Sequence, residues 1–536
     1  MGAIRSLVKH STVYGIGSVL TKFLGFILLP MYTRYLTPTD YGILSLLFTT
    51  GSVADILVRL GFGPAIFREV IYRESDERQV ESTALYFLIG ESAIFLAIFL
   101  PFSPLLSRLI FGTPDQALWL SLVLVSSLLG IVDAIAMAKL RIHERSFLYA
   151  ILSVVKFLVG TFLNIYFVAI LRWGVRGLVI CSLVQAAISA AISLALLISD
   201  LKPAFSMPIL RRLLSFGLPL VPNGLSRLVM NYADRYFLLH YSSAAEVGLY
   251  SLGYNIAMVL SLIVNAVQTA WPAQMFGIAK KPKAEKQLST ILTYYLVVLG
   301  FIGLGFSVLA HEVLMIMTTP RFHRAGIVVP LVVLSYVLSG IVHMTNSGLE
   351  TRNKLRYLTP IIVASAALNL GLNYLLIPPF GMMGAASATF VSYLFLAVVG
   401  TAVNLRLWFI PYEYARIGKV AFVCGLIYTA SLLIKLPNAW AGGFFKLLLL
   451  ATYPLLLYVV RFYKEDELVR LQQILRSVRS RWYTRRTRVW GLDARTAMPS
   501  CGCQREGKEP LAAGDEPRQA KTLSRKSPVK GEQDEP

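Results

Sequence analysis

The chain has 536 residues, of which 56% are hydrophobic and only 15% are charged. A soluble protein of this length needs a more polar surface, so the composition excludes an ordinary soluble enzyme and indicates a protein surrounded by lipid. The net charge of +22 does not indicate a nucleic-acid partner, because the basic residues lie in short clusters between apolar runs of about 20 residues, as a bilayer requires.

Fourteen apolar stretches long enough to cross a bilayer follow one another along the chain, and each is a predicted helix because backbone groups in lipid must bond within their own segment. The first six stretches are residues 12–36, 43–66, 83–107, 116–138, 147–171 and 174–199. The others are residues 213–239, 248–275, 289–311, 327–349, 358–378, 383–405, 415–435 and 440–461. The first stretch shows no small-residue cleavage site, so we predict an uncleaved helix there.

Lysines and arginines are unevenly distributed between alternate loops, and this asymmetry predicts the orientation of the chain. One set of loops carries clusters such as Lys280, Lys281 and Lys283, whereas the alternate loops carry isolated residues such as Arg108. We expect the richer side to be cytoplasmic, and both termini with it. Two termini on one side require an even number of helices, which favours fourteen over thirteen.

The chain also repeats itself. Three places align at nearly the same offset: Asp40, Gly42 and Ser45 with Glu246, Gly248 and Ser251; Leu163 and Asn164 with Leu372 and Asn373; and Gly177 with Gly384. A steady offset predicts two homologous halves of six helices in the same orientation, as in parallel-repeat transporters. The predicted domains are residues 1–200 and 201–410 as two six-helix bundles, 411–461 as two additional transmembrane helices, and 462–536 as a basic tail.

The tail differs in character from the rest of the chain. Residues 465–490 place Leu468, Leu471 and Leu475 on one helical face and many arginines elsewhere. This pattern predicts a helix lying on the anionic cytoplasmic leaflet. Beyond about Ala494 the composition predicts disorder. The lone C-x-C at Cys501 is a weak metal motif, so no metal site is predicted.

No enzyme motif is found: the sequence lacks a Walker loop and an H-E-x-x-H helix. We therefore expect a transporter without a cofactor, not an enzyme. Without an ATP site, uphill movement must use an H⁺ or Na⁺ gradient or the substrate's own gradient.

Ionisable residues inside apolar spans are the candidate functional residues, because they are costly in lipid and usually face a cavity or a partner. The cations attract an anionic head such as a pyrophosphate. The predicted substrate-binding residues are Lys22, Arg59, Lys156, Arg227, Asn223 and Asn231. The candidate ion-coupling carboxylates are Asp55, Glu91, Asp133 and Asp234.

Two of these groups have a local pattern. Asn223, Arg227, Asn231 and Asp234 recur at helical spacing and form one polar stripe, and Arg235 follows at the outer end of that predicted helix. Asp55 and Arg59 lie four residues apart, so an ion pair that merely locks a helix is an equally good interpretation of them.

Two stretches carry a resemblance to a known family. They are GIGSVLTKFLGFILLPMYTRYLTPTDYG, which ends at Gly42, and FGLPLVP from Phe216, followed by NYADRYFL and EVGLYS, which ends at Ser251. Both resemble the polysaccharide-export, Wzx-type flippases of the MOP superfamily, which also contains MATE exporters and lipid II flippases. The resemblance covers about residues 1–460, so the C-terminal extension lies outside it.

The resemblance implies an all-α fold of two six-helix bundles in a V shape, a cationic central cavity and alternating access. It implies a polyprenyl-pyrophosphate-linked oligosaccharide as substrate, moved from the cytoplasmic to the periplasmic leaflet of a bacterial inner membrane for O-antigen or exopolysaccharide synthesis. A polysaccharide polymerase is then a candidate partner. Carried over, Lys22, Arg59 and Arg227 are the head-group candidates.

Three alternatives compete with this interpretation. A lipid II flippase shares the helix count. An ion-coupled multidrug exporter of the MATE kind is disfavoured by the intramembrane lysines and arginines. A membrane-embedded glycosyltransferase or ligase would need a large outer loop with acidic residues, whereas the loop at 238–247 has Glu246 as its only acid.

Overall fold

The computed structural model describes residues 28–467 except 74, 199–200, 202–203, 347–348, 350–353, 355–356 and 434–437. All regular secondary structure in this part is helical. The described residues up to Tyr463 belong to one compact unit, and Lys464 begins a second one. The predicted amphipathic helix at 465–490 and Lys22 lie largely or wholly outside the described residues.

The helices of the first half are α1 (Leu29–Tyr35), α2 (Pro38–Arg59), α3 (Phe62–Ile71), α4 (Glu77–Phe99), α5 (Ser103–Phe111), α6 (Ala117–Ile142), α7 (Ser146–Asn164) and α8 (Gly174–Leu197). A π-helical turn, Ile165–Ile170, continues α7.

The second half contains α9 (Met207–Gly217), α10 (Val221–Tyr232), α11 (Asp234–Tyr241), α12 (Ala244–Ala279), α13 (Ala284–Met317), α14 (Val329–Thr345), α15 (Leu358–Phe380) and α16 (Met382–Leu407). Short 3₁₀ segments, Leu218–Leu220 and Pro320–Val328, precede α10 and α14. The last helices are α17 (Tyr414–Leu433), α18 (Ala439–Ala451) and α19 (Tyr453–Val459).

Within the described residues, 13 helices are long and apolar enough to cross a membrane, and the protein is a multi-pass membrane protein. Each predicted stretch from residues 43–66 onwards has its helical counterpart. Only the end of the first predicted stretch is described, as α1. The prediction of about fourteen helices agrees with this count.

The same kind of cap begins α2 and its repeat equivalent α12. Thr37 Oγ1 accepts a hydrogen bond from the amide of Asp40 at 3.2 Å, and the amide of Thr37 donates to Asp40 Oδ2 at 2.9 Å. At the equivalent position, Ser243 Oγ accepts from the amide of Glu246 at 3.3 Å. These bonds satisfy amide groups that the first helical turn leaves unpaired, so both helices begin at a defined residue.

Helices α2 and α12 cross in direct backbone contact through two repeat-equivalent glycines. A Cβ atom at Gly42 would collide with the carbonyl oxygen of Ala244, and one at Gly248 would collide with the carbonyl oxygen of Pro38. The contact is reciprocal, because Pro38 and Ala244 are themselves equivalent in the repeat. Such reciprocity is the property of a two-fold relationship between the two helices.

The helix is interrupted between α2 and α3, where the backbone makes a second close approach, in this case to the end of α9. Leu60 and Gly61 have positive φ angles of 46° and 70°, a conformation that glycine adopts without steric cost. The two residues pack on Gly217 at the end of α9, where an added Cβ would collide with the carbonyl oxygen of Leu60.

Helix α9 starts the second half in sequence but packs against the first half. Arg212 Nε donates to Glu69 Oε1 of α3 at 2.6 Å, and the amide of Ser206 donates to Thr83 Oγ1 of α4 at 3.2 Å. The guanidinium of Arg68 lies 4.6 Å from the centre of the Phe216 ring. The 3₁₀ segment after Gly217 then leads the chain into α10.

The last helices are attached to α13. Lys446 Nζ of α18 lies 2.6 Å from Glu312 Oε1, and both side chains are buried. Tyr453, at the start of α19, donates its hydroxyl proton to the carbonyl oxygen of Val297 at 3.0 Å. The helices after α16 therefore pack as an addition to the second half.

Candidate functional site

A buried ion pair occupies the crossing of α2 and α12. Arg235 and Asp234, at the start of α11, are only 2% and 1% exposed. Arg235 Nε donates to the hydroxyl oxygens of Ser45 and Ser251 at 3.0 and 3.1 Å. Its Nη1 donates to the carbonyl oxygen of Asn231 at 2.7 Å and to Asp234 Oδ1 at 3.1 Å. One guanidinium therefore joins both halves of the protein.

Aromatic rings surround this guanidinium. Its carbon lies 4.6, 5.7 and 4.9 Å from the ring centres of Tyr232, Tyr250 and Tyr254. Tyr250 also donates its hydroxyl proton to Asp234 Oδ2 at 2.5 Å. The rings stabilise the buried cation through their electron-rich faces, and the bonds to Asp234 compensate its negative charge. The predicted coupling residue Asp234 thus lies in a paired, enclosed position.

The polar stripe predicted along the seventh span is continuous on α10. Arg227 Nε donates to Asn223 Oδ1 at 3.1 Å, and Asn231 Nδ2 donates to the carbonyl oxygen of Arg227 at 2.6 Å. Asn231 Oδ1 accepts from the hydroxyls of Tyr254 and Tyr393 at 2.8 and 3.0 Å. The side chain of Arg227 is exposed, and no ion pair of Arg227 is found within the described part of the chain.

In the first half, Arg59 is paired with its neighbour on α2. Its Nε lies 2.6 Å from Asp55 Oδ1, and its Nη2 donates to the carbonyl oxygen of Gly130 at 3.4 Å. Arg59 lines a cavity of about 370 Å³ between α3, α4 and α6, together with Asp133 and Arg141. The locking interaction considered from the sequence is therefore present, and the same arginine faces a cavity.

Lys156 forms a three-helix group with Asp133 and Ser193. Its Nζ donates to Asp133 Oδ1 and to Ser193 Oγ, and Ser193 Oγ donates to the same carboxylate oxygen at 2.7 Å. Lys156 is 9% exposed. The group joins α6, α7 and α8 and neutralises the lysine locally, so a role of Lys156 in substrate binding stays a prediction.

The structure thus brings the candidates together as two groups. Asp55, Arg59, Asp133 and Lys156 belong to the first half, and Asn223, Arg227, Asn231 and Asp234 belong to the second. Glu91 stands apart on α4, with a buried Oε2 that has no hydrogen-bond partner among the described residues. Sequence reasoning assigned no site role to Arg235, although its two serine partners stand at aligned repeat positions.

Comparison with known proteins agrees with this architecture. A family model described as polysaccharide biosynthesis protein matches residues 7–273. The probable low-salt glycan biosynthesis flippase Agl15 of Haloferax volcanii is 24% identical over 285 residues, which are 51% of this chain and 60% of that protein. The chain therefore matches about three fifths of the length of that relative.

Two solved structures show the fold. Lipid II flippase MurJ in an inward closed conformation has a TM-score of 0.60 at 15% identity, covering 84% of this chain and 99% of its own. An inward-facing multidrug resistance MATE family transporter of the MOP superfamily has a TM-score of 0.56 at 14% identity, covering 75% and 95%. The chain therefore has the fold of these MOP superfamily proteins. Its predicted resemblance to the polysaccharide-export flippases is confirmed by the family model and by the match to Agl15.

Proposed function

We propose that the protein moves a polyprenyl-pyrophosphate-linked oligosaccharide from the cytoplasmic to the periplasmic leaflet of a bacterial inner membrane. One observation carries this proposal: Arg227 lies exposed on an intramembrane polar stripe and bonds a neutral amide, Asn223. A guanidinium within a membrane span is retained when it meets an anion or a water-filled cavity. Its planar fork matches the oxygens of a phosphate group.

The other described cations support a division of roles. Arg59 and Lys156 bond carboxylates within their own half, so each must exchange a protein partner for a phosphate to hold the substrate. Arg227 meets no such competition from an acid among the described residues. We therefore place the first contact with the head group at Arg227, assisted by Asn223 and Asn231, with Arg59, Lys156 and Lys22 as candidates for later contacts.

Energy coupling belongs to the same proposal. Asp55, Asp133 and Asp234 each bond a cation in this conformation, so each would take up H⁺ or Na⁺ only as that cation moves away. Glu91, whose Oε2 has no described partner, is the fourth candidate. Exchange of these pairs between two conformations would link an ion gradient to the movement of the substrate.

The lipid II flippase alternative differs in the sugar and not in the head-group chemistry, and the likeness to MurJ in fold keeps it as the second candidate. A multidrug exporter would instead present an acid to a cationic drug, whereas the exposed charge on α10 is positive.

We also propose that both termini are cytoplasmic, and that a polysaccharide polymerase uses the lipid delivered to the periplasmic leaflet.

The test is leaflet exchange in proteoliposomes. A fluorescent polyprenyl-pyrophosphate oligosaccharide is reconstituted with the full-length protein, and a quencher that does not cross membranes reports the outer-leaflet fraction, with and without H⁺ and Na⁺ gradients. We expect Arg227→Gln to slow exchange by about 10-fold or more, since a hydrogen bond to a charged group contributes roughly 1.5–3 kcal/mol.

Arg108→Gln is the matched control, because Arg108 is an exposed arginine at the end of α5, away from the polar stripe. It should exchange the lipid at the wild-type rate. Equal rates for Arg227→Gln and wild type would contradict the head-group assignment. Export of an organic cation by a wild type that moves no lipid would replace the flippase proposal with the multidrug alternative.

A further inference from the structure

A second cavity of about 370 Å³ lies between α2, α7, α8 and α12, and the charged cavity beside Arg59 shares none of its lining residues. Its polar lining consists mainly of hydroxyl and amide side chains, among them Thr49, Ser52, Asn164, Ser182, Gln185 and Asn255. The charged residue described in this lining is Arg235, which Asp234 already neutralises. We call this space the neutral cavity.

Three hydroxyl groups of the neutral cavity donate their protons within their own helices. Thr49 and Ser52 donate to the carbonyl oxygens of Ser45 and Phe48 at 2.8 Å, and Ser182 donates to that of Val179 at 2.7 Å. A hydroxyl has one proton and two lone pairs, so a hydroxyl that donates to the backbone still offers its oxygen as an acceptor.

Two of the amide side chains, Asn164 and Gln185, also donate to the backbone. Asn164 Nδ2 donates to the carbonyl oxygen of Gly160 at 2.8 Å, and Gln185 Nε2 donates to that of Lys156 at 3.3 Å. Each amide is thereby oriented with its NH₂ group towards the helix backbone, which leaves the amide oxygen as an acceptor. Apart from the paired guanidinium of Arg235, the polar lining described here is therefore uncharged and rich in acceptors, a composition that suits a ligand with many hydroxyl donors.

Aromatic side chains complete the lining: Tyr32, Tyr41, Phe48 and Tyr232. A sugar ring presents hydroxyl groups at its edge and C–H groups on its faces, so hydroxyl acceptors combined with aromatic surfaces match both parts of it. A volume of about 370 Å³ lies within the range of about 300–1,000 Å³ that is typical of small-ligand sites. This is room for part of an oligosaccharide.

We propose that the neutral cavity binds sugar residues of the transported glycan, while the pyrophosphate is held at the cationic positions. The inference rests on the proposed function in one respect, since the sugar is taken to arrive on a lipid. It adds a glycan subsite made by α2, α7 and α8, and it assigns glycan recognition to side chains that carry no charge.

Equilibrium binding tests this assignment independently of transport. Full-length protein in nanodiscs is titrated with polyprenyl pyrophosphate lacking sugar, and with probes carrying one residue each of glucose, galactose, mannose or N-acetylglucosamine. The variants are Thr49→Val, Gln185→Leu and the milder Ser182→Ala. Thr429→Val is the control, because Thr429 makes the same bond to a carbonyl four residues earlier, at 2.8 Å, on an exposed face of α17.

We expect wild type and the Thr429→Val control to bind at least one sugar-bearing probe more tightly than the sugarless lipid. Each cavity variant should lose about two- to tenfold of that preference, as expected for one hydrogen bond, with sugarless binding unchanged. Equal binding of all probes by wild type, or variants that weaken sugarless and sugar-bearing probes alike, would overturn the proposal.

Leaflet exchange measured on the same proteins separates the two proposals. Sugar-dependent binding in a protein that moves no lipid would reject the flippase proposal and keep the glycan subsite. Lipid movement without any sugar preference in binding would keep the flippase proposal and reject the subsite. Either conclusion requires that the variants melt close to the wild-type temperature. Ser182→Ala removes only one oxygen atom, so it is the variant expected to disturb folding least.

Discussion

The hydroxyl oxygens of Ser45 and Ser251 lie 2.8 Å apart, and the two serines occupy equivalent positions of the sequence repeat. Arg235 Nε lies within 3.1 Å of both hydroxyl oxygens. The serine pair is a self-complementary contact between the two halves, and the single guanidinium that bonds it comes from the second half alone. The two helices are related by an approximate two-fold axis at this crossing. Arg235 does not follow that symmetry, because only the second half contributes a guanidinium there among the described residues.

Loss of the Arg235 guanidinium is expected to destabilise the protein strongly. Arg235→Leu leaves the carboxylate of Asp234 buried without its cation, and breaking such a pair costs about 3–5 kcal/mol. Arg235→Lys retains the charge but loses the Nε donor that bonds both serines, so its effect should be smaller. Thermal unfolding in detergent is the measurement, and a leucine variant that melts at the wild-type temperature would refute this explanation of the pair.

The close approach of α2 and α12 predicts a steric effect at Gly42. Gly42→Val forces a side chain into the carbonyl group of Ala244, and overpacking of this kind typically costs about 1–3 kcal/mol. Gly90→Val is the matched control, because no atom lies within 4 Å of a Cβ added at Gly90. We expect a lower melting temperature for the first variant only; equal melting temperatures would mean that the helices separate without cost.

The spans could be predicted because they depend on composition along the chain. Lipid selects apolar stretches wherever they lie in the sequence, and Asp55 and Arg59 could be paired because helical spacing alone brings them together. The partner of Lys156 could not be predicted, since Asp133 and Ser193 stand on other helices and sequence distance does not determine which helices touch. The interruption of the helix after Arg59 was not predicted, because glycine and proline, here Gly61, Gly63 and Pro64, are common in membrane helices and do not by themselves mark a helix end.

Removal of Lys156 should reveal the cost of its ion pair. Lys156→Met leaves Asp133 without its cation, whereas the double variant Lys156→Met/Asp133→Asn removes both charges. We expect the single variant to be clearly less stable than wild type and the double variant to regain most of the loss, because the unpaired charge is the main penalty. Melting temperatures provide the comparison; a double variant less stable than the single one would contradict this.

The contact between Glu69 and Arg212 predicts energetic coupling between α3 and α9. A double-mutant cycle with Glu69→Gln and Arg212→Gln should give an interaction energy of about 0.5–3 kcal/mol in thermal or denaturant unfolding. Arg73 Nε lies 3.8 Å from Glu69 Oε2 and partly replaces the lost charge, so the lower part of that range is expected. The cycle of Glu69→Gln with the remote Arg108→Gln should be additive, and equal coupling in both cycles would rule out a specific contact.

The position of α9 has a consequence for exchanging halves between related transporters. A chimaera joined near residue 200 would bring a foreign α9 against the native α3 and α4. Glu69 and Thr83 would then lose their hydrogen bonds to Arg212 and Ser206 unless the foreign helix supplied equivalent donors. A junction placed after Gly217 keeps α9 with the surface on which it packs. The transplantable unit of this protein therefore begins at α10, one helix later than the sequence repeat suggests.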